Sequence, residues 1–324
     1  MNYPLTGYHH ITACAAGAQE DVNFFTKVAG LRMAKQTVLM DGTIPIYHLY
    51  YSNANLDPGS VMTTFPYGRK AGRRGSGQVS STAFTVAKGS LPFWKDHFYR
   101  HHTDQVPIAE RFGQAFIRFQ HPSGLSFEVI EDKEDDREPW ATPEINKSEA
   151  IHGFHGSVLS VRETAETERF FVEALGFRKT GVDGAYHRFE TGSGGANKTV
   201  TLLHEPDRPS GSWTFGAGTV HHIALWGADD DALAQQKAIY EELGYTDASE
   251  IKDRYYFHSM YCRCPGGILV ESCCNAGAGF ERDEPREKLG TKLHLPPWWE
   301  HRQAEVLAQL EPISIPEIAV PAAA

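Results

Sequence analysis

His9-His10-Ile11-Thr12 and His221-His222-Ile223-Ala224 are one short strand written twice, far apart in the same chain. Each copy follows a glycine-containing turn and leads into a helix-like stretch that closes on a glycine, Gly30 in the first case and Gly244 in the second. A further strand-like run, Gly267-Ile268-Leu269-Val270-Glu271, ends in a carboxylate. Two imidazoles and one carboxylate on separate strands are the ligand set of a non-haem ferrous ion, Fe(II), that keeps positions open for substrate and dioxygen. His10, His222 and Glu271 are therefore the candidate metal ligands.

The duplication extends along the chain. Strand-like openings near His9, Ala83, Phe154 and His221 recur as internal repeats do. Amphipathic stretches follow three of them, Asp21 to Leu31, Thr167 to Phe177 and Ala232 to Gly244, with a shorter one from Ser90 to Phe98. Apolar residues at i, i+3 and i+4 put one helix face against a sheet, and the closing glycine suits a left-handed cap. Strand-like runs come next, for example Ile46 to Tyr51 with Ser60 to Phe65, and Tyr186 to Phe189 with Thr199 to Leu203. Strand, helix and strand meander make a βαβββ unit whose open, curved sheet needs a partner to close it. The expected fold is α+β: four βαβββ modules at 1–67, 78–131, 151–206 and 218–274, paired into two open barrels, with a C-terminal extension at 275–324. Between modules, the basic, glycine-rich 68–77 and the acidic 131–150 read as solvated loops. Pro296-Pro297 in the extension is expected to start a helix running to Leu310.

A fourfold βαβββ chain with these ligands resembles the vicinal oxygen chelate superfamily of glyoxalases, bleomycin resistance proteins and extradiol dioxygenases. Within it, long stretches are similar to the hydroquinone ring-cleaving dioxygenases. They include Tyr8 to Thr12, Asp41 to Tyr50, Val61 to Pro66, Arg111 to Gln114, Leu202 to Arg208 and Pro265 to Gly267. The resemblance implies a dioxygenase using Fe(II), an aromatic small-molecule substrate and O2, and giving a maleylacetate-type ring-opened acid. It also implies that His9, Thr12, His221, Arg254 and Tyr261 surround the metal as catalytic residues. Ring-adjacent imidazoles, a phenol and a guanidinium suit that task, because a hydroquinone hydroxyl with a pKa of ~10 must ionise to bind.

Sixteen histidines require a reason for choosing two. His10 lies twenty residues before Gly30, and twenty before Gly176 is Gly156, so the rival His155 matches His9 rather than His10. Module four has a longer loop, so the count does not decide alone; the resemblance favours His10 too. Glu128 occupies a place similar to Glu271, but only module four also carries a strand histidine, so Glu128 is read as a paired or rim carboxylate. Ligands from the first and last modules imply that these two pair around the metal and that modules two and three pair without one. Adjacent strand residues face opposite sides, so His9 and His10 can share a cavity only across a bulge. Without one, His9 and His221 hydrogen-bond outside the barrel. Tyr47, Phe65, Phe112, Trp213, Phe215 and Phe257 are aromatic candidates for pocket or core.

Bulk properties narrow the class. A formal net charge of −10 argues against nucleic acid or an anionic membrane as the main partner. No apolar run approaches the ~20 residues of a membrane span, and the first residues lack signal-peptide character, so a soluble cytoplasmic protein, monomeric or homo-oligomeric, is expected. Five cysteines fit reduced thiols. Pairing outward from the Pro265-Gly266-Gly267 turn puts Cys273 opposite residue 259, which disfavours a four-cysteine zinc site. Two other activities remain open. Extradiol cleavage of a catechol uses two adjacent substrate oxygens. A glyoxalase-like isomerase or transferase keeps a second metal carboxylate, which Met62-Thr63-Thr64-Phe65 does not offer. A binding module without catalysis would be expected to lose ligands.

Overall fold

β1, Leu5–Ala15, is buried along nearly its whole length because sheet neighbours flank both its edges. The computed structural model describes residues 3–39, 44–68, 70–212 and 216–316. In the first unit α1, Ala18–Asn23, passes into a π-helical turn, Phe24–Val28, before β2 (Arg32–Val38), β3 (Tyr47–Ser52) and β4 (Val61–Pro66). The second unit has β5 (Gln78–Val86), α2 (Leu91–Arg100), β6 (Ala109–Arg111), β7 (Gln114–Gln120) and β8 (Ser126–Glu131). The third has β9 (Gly153–Val161), α3 (Ala165–Arg169) with its own π turn, Phe170–Ala174, then β10 (Arg178–Asp183), β11 (Tyr186–Glu190) and β12 (Thr199–His204). The fourth has β13 (Thr219–Gly227), α4 (Asp230–Glu242), β14 (Lys252–Asp253), β15 (Phe257–Arg263) and β16 (Leu269–Asn275).

Two eight-stranded sheets result, ordered β14-β15-β16-β13-β1-β4-β3-β2 and β10-β11-β12-β9-β5-β8-β7-β6. Each is two βαβββ units joined through their antiparallel first strands, β1 with β13 and β5 with β9. The α+β fold of paired modules is the one expected. The first sheet draws its strands from the two ends of the chain and the second from its middle.

Helix ends explain the duplicated Phe-Phe pairs. The π turns set Phe24-Phe25 and Phe170-Phe171 side by side in the core, all four buried. A left-handed glycine then turns the chain back to the sheet, Gly30 at φ 69° and Gly176 at φ 71°, a conformation that costs a residue with a Cβ. The halves are tied where the Tyr8 hydroxyl reaches across to the Thr199 carbonyl at 3.1 Å and to Ser157 Oγ at 2.6 Å.

In the second sheet Glu128 pairs with Ala83, as Glu271 pairs with Ala224 in the first. Its surroundings differ. Arg111 and Arg118 each reach a Glu128 oxygen at 2.7 Å, and Ser81 donates to it at 3.0 Å. Burial alone would raise this carboxyl, but the guanidinium groups hold it below the usual range. The strand place corresponding to His10 is Gly156, where an added Cβ would stand 2.0 Å from the Thr199 carbonyl oxygen. The rival His155 is buried, 3.4 Å from the Gln114 amide nitrogen.

One expectation is corrected in the extension. Instead of one helix, it forms α5 (Pro297–Glu300) and α6 (Gln303–Gln309). The backbone leaves helical geometry at Arg302 (φ −111°, ψ 16°), and Trp299 and Val306 on either side of the break both pack on Val38. The extension is anchored by Lys35, whose wholly buried ammonium binds Asp283 and, at 3.2 Å, Glu284. All five cysteines are buried and unpaired, and Cys273 lies opposite Ser259.

The Gly156 contact makes a direct stability prediction. Gly156→Ala must push β9 from β12 and should cost about 2–3 kcal/mol, as other forced overpackings do. A urea-unfolding midpoint unchanged from the parent would show that the strands separate freely.

Candidate metal centre

Strand register brings the candidate ligands together. β1 and β13 lie side by side, with His10 opposite Ala224 and Thr12 opposite His222. Parallel pairing sets Thr12 beside Thr63 on β4 and Ala224 beside Glu271 on β16. Two residues beyond His10 the partner is thus Thr63; two residues beyond His222 it is Glu271. Thr63 is the counterpart of Glu271. By the same register Tyr50, opposite Thr63, is the counterpart of Tyr261, opposite Glu271.

His10 Nε2 and His222 Nε2 are 3.1 Å apart, and Glu271 Oε2 lies 2.9 Å from His222 Nε2 and 3.7 Å from His10 Nε2. The Glu271 side chain is wholly buried, yet neither carboxylate oxygen has a properly directed hydrogen-bond partner among the described residues. A buried ionised carboxylate without a donor or cation is strongly disfavoured. Burial pushes His10 well below the ordinary imidazole range, and burial with Arg254 nearby takes His222 down to about 3. Neutral imidazole is the form that binds a metal. The donor set, its spacing and the orphaned carboxylate fit a divalent ion.

The flanking histidines meet the ligands from behind. A register shift in β1 between Tyr8 and His10 lets both His9 and His10 be buried. His9 Nδ1 is 2.9 Å from His10 Nδ1, and His9 Nε2 is 2.9 Å from Asn275 Oδ1. An amide oxygen only accepts, so His9 Nε2 carries its proton and His9 Nδ1 accepts from His10. That leaves the lone pair on His10 Nε2, facing the cluster, in the manner of ligand histidines fixed by a second hydrogen bond. His221 Nδ1 and His222 Nδ1 are 2.7 Å apart, so a lone pair on His222 Nε2 requires His222 Nδ1 to donate.

The other expected residues, Thr12, Arg254 and Tyr261, lie nearby. The Tyr261 ring is 5.5 Å from the His222 ring, and the Arg254 guanidinium stacks over Tyr261 at 5.6 Å. Burial, then Glu271, pushes the Tyr261 phenol well above its ordinary value. Thr12 Oγ1 is 2.7 Å from Thr63 Oγ1, which is 3.0 Å from His48 Nε2, while the Tyr50 hydroxyl is 2.7 Å from His48 Nδ1. His48, Tyr50, Thr63 and Asn275 escaped sequence reasoning. Only the pairing of Thr63 with Thr12 and of Tyr50 with Thr63 would have marked the first three. Of the aromatic candidates, Phe257 packs on His10 at 5.3 Å and Phe65 on His48 at 4.4 Å. Tyr47 belongs to the core and Phe112 lies under Arg188 in the other half. Trp213 and Phe215 fall outside the described residues.

Comparison with known proteins adds context. The glyoxalase/bleomycin resistance protein/dioxygenase superfamily model matches residues 153–272. The chlorohydroquinone/hydroquinone 1,2-dioxygenase of Sphingobium indicum is 39% identical over 317 residues, 96% of this chain and 98% of that protein. A Bacillus subtilis protein named "Putative ring-cleaving dioxygenase MhqO" is 36% identical over 96% of this chain and 98% of its own length. A solved B. subtilis structure, described as a "putative dioxygenase", aligns with TM-score 0.91 and 33% identity over 98% of this chain and 100% of that one. Maize glyoxalase I shares the fold at TM-score 0.60 and 15% identity, covering 83% of this chain and 92% of its own.

The orphaned carboxylate makes a prediction of opposite signs. In chelator-treated protein Glu271→Gln removes an uncompensated buried charge and should leave stability equal or raise it by about 1–3 kcal/mol. With Fe(II) or Mn(II) added, the parent should become the more stable of the two. Calorimetry decides, and a variant several degrees less stable without metal would mean that protein donors already hold Glu271.

Proposed function

This chain belongs to the glyoxalase/bleomycin resistance protein/dioxygenase superfamily, and from that premise we propose that it is an Fe(II)-dependent ring-cleaving dioxygenase of substituted para-hydroquinones. The observation that carries the reading is the identity of Thr63. A glyoxalase-like centre needs a second carboxylate across from Glu271, and here that place holds a hydroxyl bonded to Thr12 and His48. Three ligands, His10, His222 and Glu271, leave room for both a substrate oxygen and O2.

When bound by these three, Fe(II) would supply the redox link between an electron-rich ring and dioxygen that no side chain can provide. The chain's own residues do the rest. His9 and His221 orient the ligand imidazoles through Nδ1. Arg254 offers a fixed positive charge to the ionised phenolic oxygen and to charge developing during cleavage. Tyr261, held protonated, donates a hydrogen bond rather than competing as an anion. Thr12, Thr63, His48 and Tyr50 form a neutral hydrogen-bonded line able to pass a proton at His48. Both atoms of O2 enter the opened ring, and where the cleaved carbon carries a halogen, water replaces it as halide to leave a maleylacetate-type acid. The missing second carboxylate counts against a glyoxalase, and similarity to the chlorohydroquinone/hydroquinone 1,2-dioxygenase over 96% of this chain favours a para-hydroquinone over a catechol.

Anaerobically iron-loaded protein should consume one O2 per hydroquinone ring, with specificity constants at least about tenfold above those for catechols, ~1.4 kcal/mol in transition-state binding. Faster catechol cleavage would move the assignment to extradiol enzymes, and turnover of a methylglyoxal–glutathione adduct to the glyoxalase type. Tyr261→Phe should retain iron but lose about 10²–10⁴-fold in turnover if the phenol handles a proton; equal turnover reduces it to packing.

A further inference from the structure

α2 carries a second set of ligand-type side chains in another module. His97 and His101 lie one helical turn apart, and Glu144, from the segment before β9, reaches them. One ring nitrogen of each imidazole and a carboxylate oxygen lie within 4.8 Å of one another. The two rings are 4.4 Å apart, and His101 Nε2 is 2.9 Å from Glu144 Oε2.

His97 has the features of a ligand rather than of a filler. It is wholly buried. Its Nε2 is 3.0 Å from the Val28 carbonyl oxygen, which can only accept, so Nε2 bears the proton and Nδ1 the lone pair. That Nδ1 is buried and has no hydrogen-bond partner among the described residues. A ring N–H given to a backbone carbonyl, with the other nitrogen left as a lone pair, is how proteins prepare histidine for a metal. Burial, then His101, pushes His97 down to about 4, so the imidazole is neutral at physiological pH. The large majority of buried side-chain polar atoms have a hydrogen-bond partner, so the Nδ1 of His97 calls for one.

We propose that His97, His101 and Glu144 form a second metal site, for a divalent ion of the zinc class. Two imidazoles and a carboxylate are a common zinc donor set, with water able to complete four-coordination. The ion would join the end of α2 to the 141–150 segment, and through Val28 it would brace the first module. None of the three residues belongs to the His10 centre.

The test is a difference in bound zinc. Full-length protein, stripped with chelator, is equilibrated with micromolar Zn(II), and metal per chain is measured by emission spectrometry. His101→Ala should hold one zinc fewer than the parent, and Glu144→Gln should bind that equivalent at least tenfold more weakly. Both side chains are partly solvated, so folding is not at risk, and oxygen uptake with hydroquinone should be unchanged in both. The parent should also melt at a higher temperature with zinc, a gain that His101→Ala loses. Equal zinc content in parent and His101→Ala overturns the site and leaves His101 and Glu144 a surface ion pair. Because the comparison is between parent and variant, it stands whichever substrate the His10 centre accepts.

Discussion

The Glu271 carboxylate is buried with no properly directed hydrogen-bond partner among the described residues, 2.9 Å from one imidazole and 3.7 Å from another. Taking such a charge out of water costs several kcal/mol unless a cation answers it. The rest of the first half serves this arrangement. β1 shifts register so that two consecutive histidines are buried, Asn275 and His9 fix which nitrogen of His10 faces inward, and the extension is tied down over the sheet by Lys35.

The second half solves the same problem differently. Glu128 keeps the place of Glu271, but two arginines supply the positive charge. Arg111 lies between the Phe116 and Tyr186 rings, 4.9 Å from each. Where the first half has His10, the second has a glycine that cannot accept even a Cβ. Internal duplication thus gave two similar half-barrel sheets, one carrying ligand-type donors and one filled by guanidinium groups and strand contact.

Much of this was legible in the sequence because duplication leaves local marks. The repeated His-His-Ile strand, the amphipathic stretches Asp21 to Leu31 and Thr167 to Phe177 and the glycine that closes each lie within a single module and fix its period. The hairpin at Pro265-Gly266-Gly267 likewise gave the register that sets Cys273 opposite Ser259. His48, Tyr50 and Thr63 were not legible. A lone strand histidine looks like core, and its meaning comes from pairing across β1, β4 and β3, which no local pattern encodes. Asn275 was missed for a similar reason, since it acts on His9 from the far end of the chain. The single helix expected over the extension is interrupted at Arg302, whose backbone is not helical, a local departure that the apolar spacing of Trp299 and Val306 does not signal.

Whether His10, His222 and Glu271 hold a metal that Thr63 does not touch can be measured directly. Crystals grown without metal and loaded with Fe(II) under nitrogen would be measured at the iron absorption edge. The account predicts an anomalous peak within bonding distance of His10 Nε2, His222 Nε2 and a Glu271 oxygen, with the Thr63 hydroxyl still bonded to Thr12 and His48. A peak that includes Thr63 as a ligand, or no peak at Glu271, would contradict it.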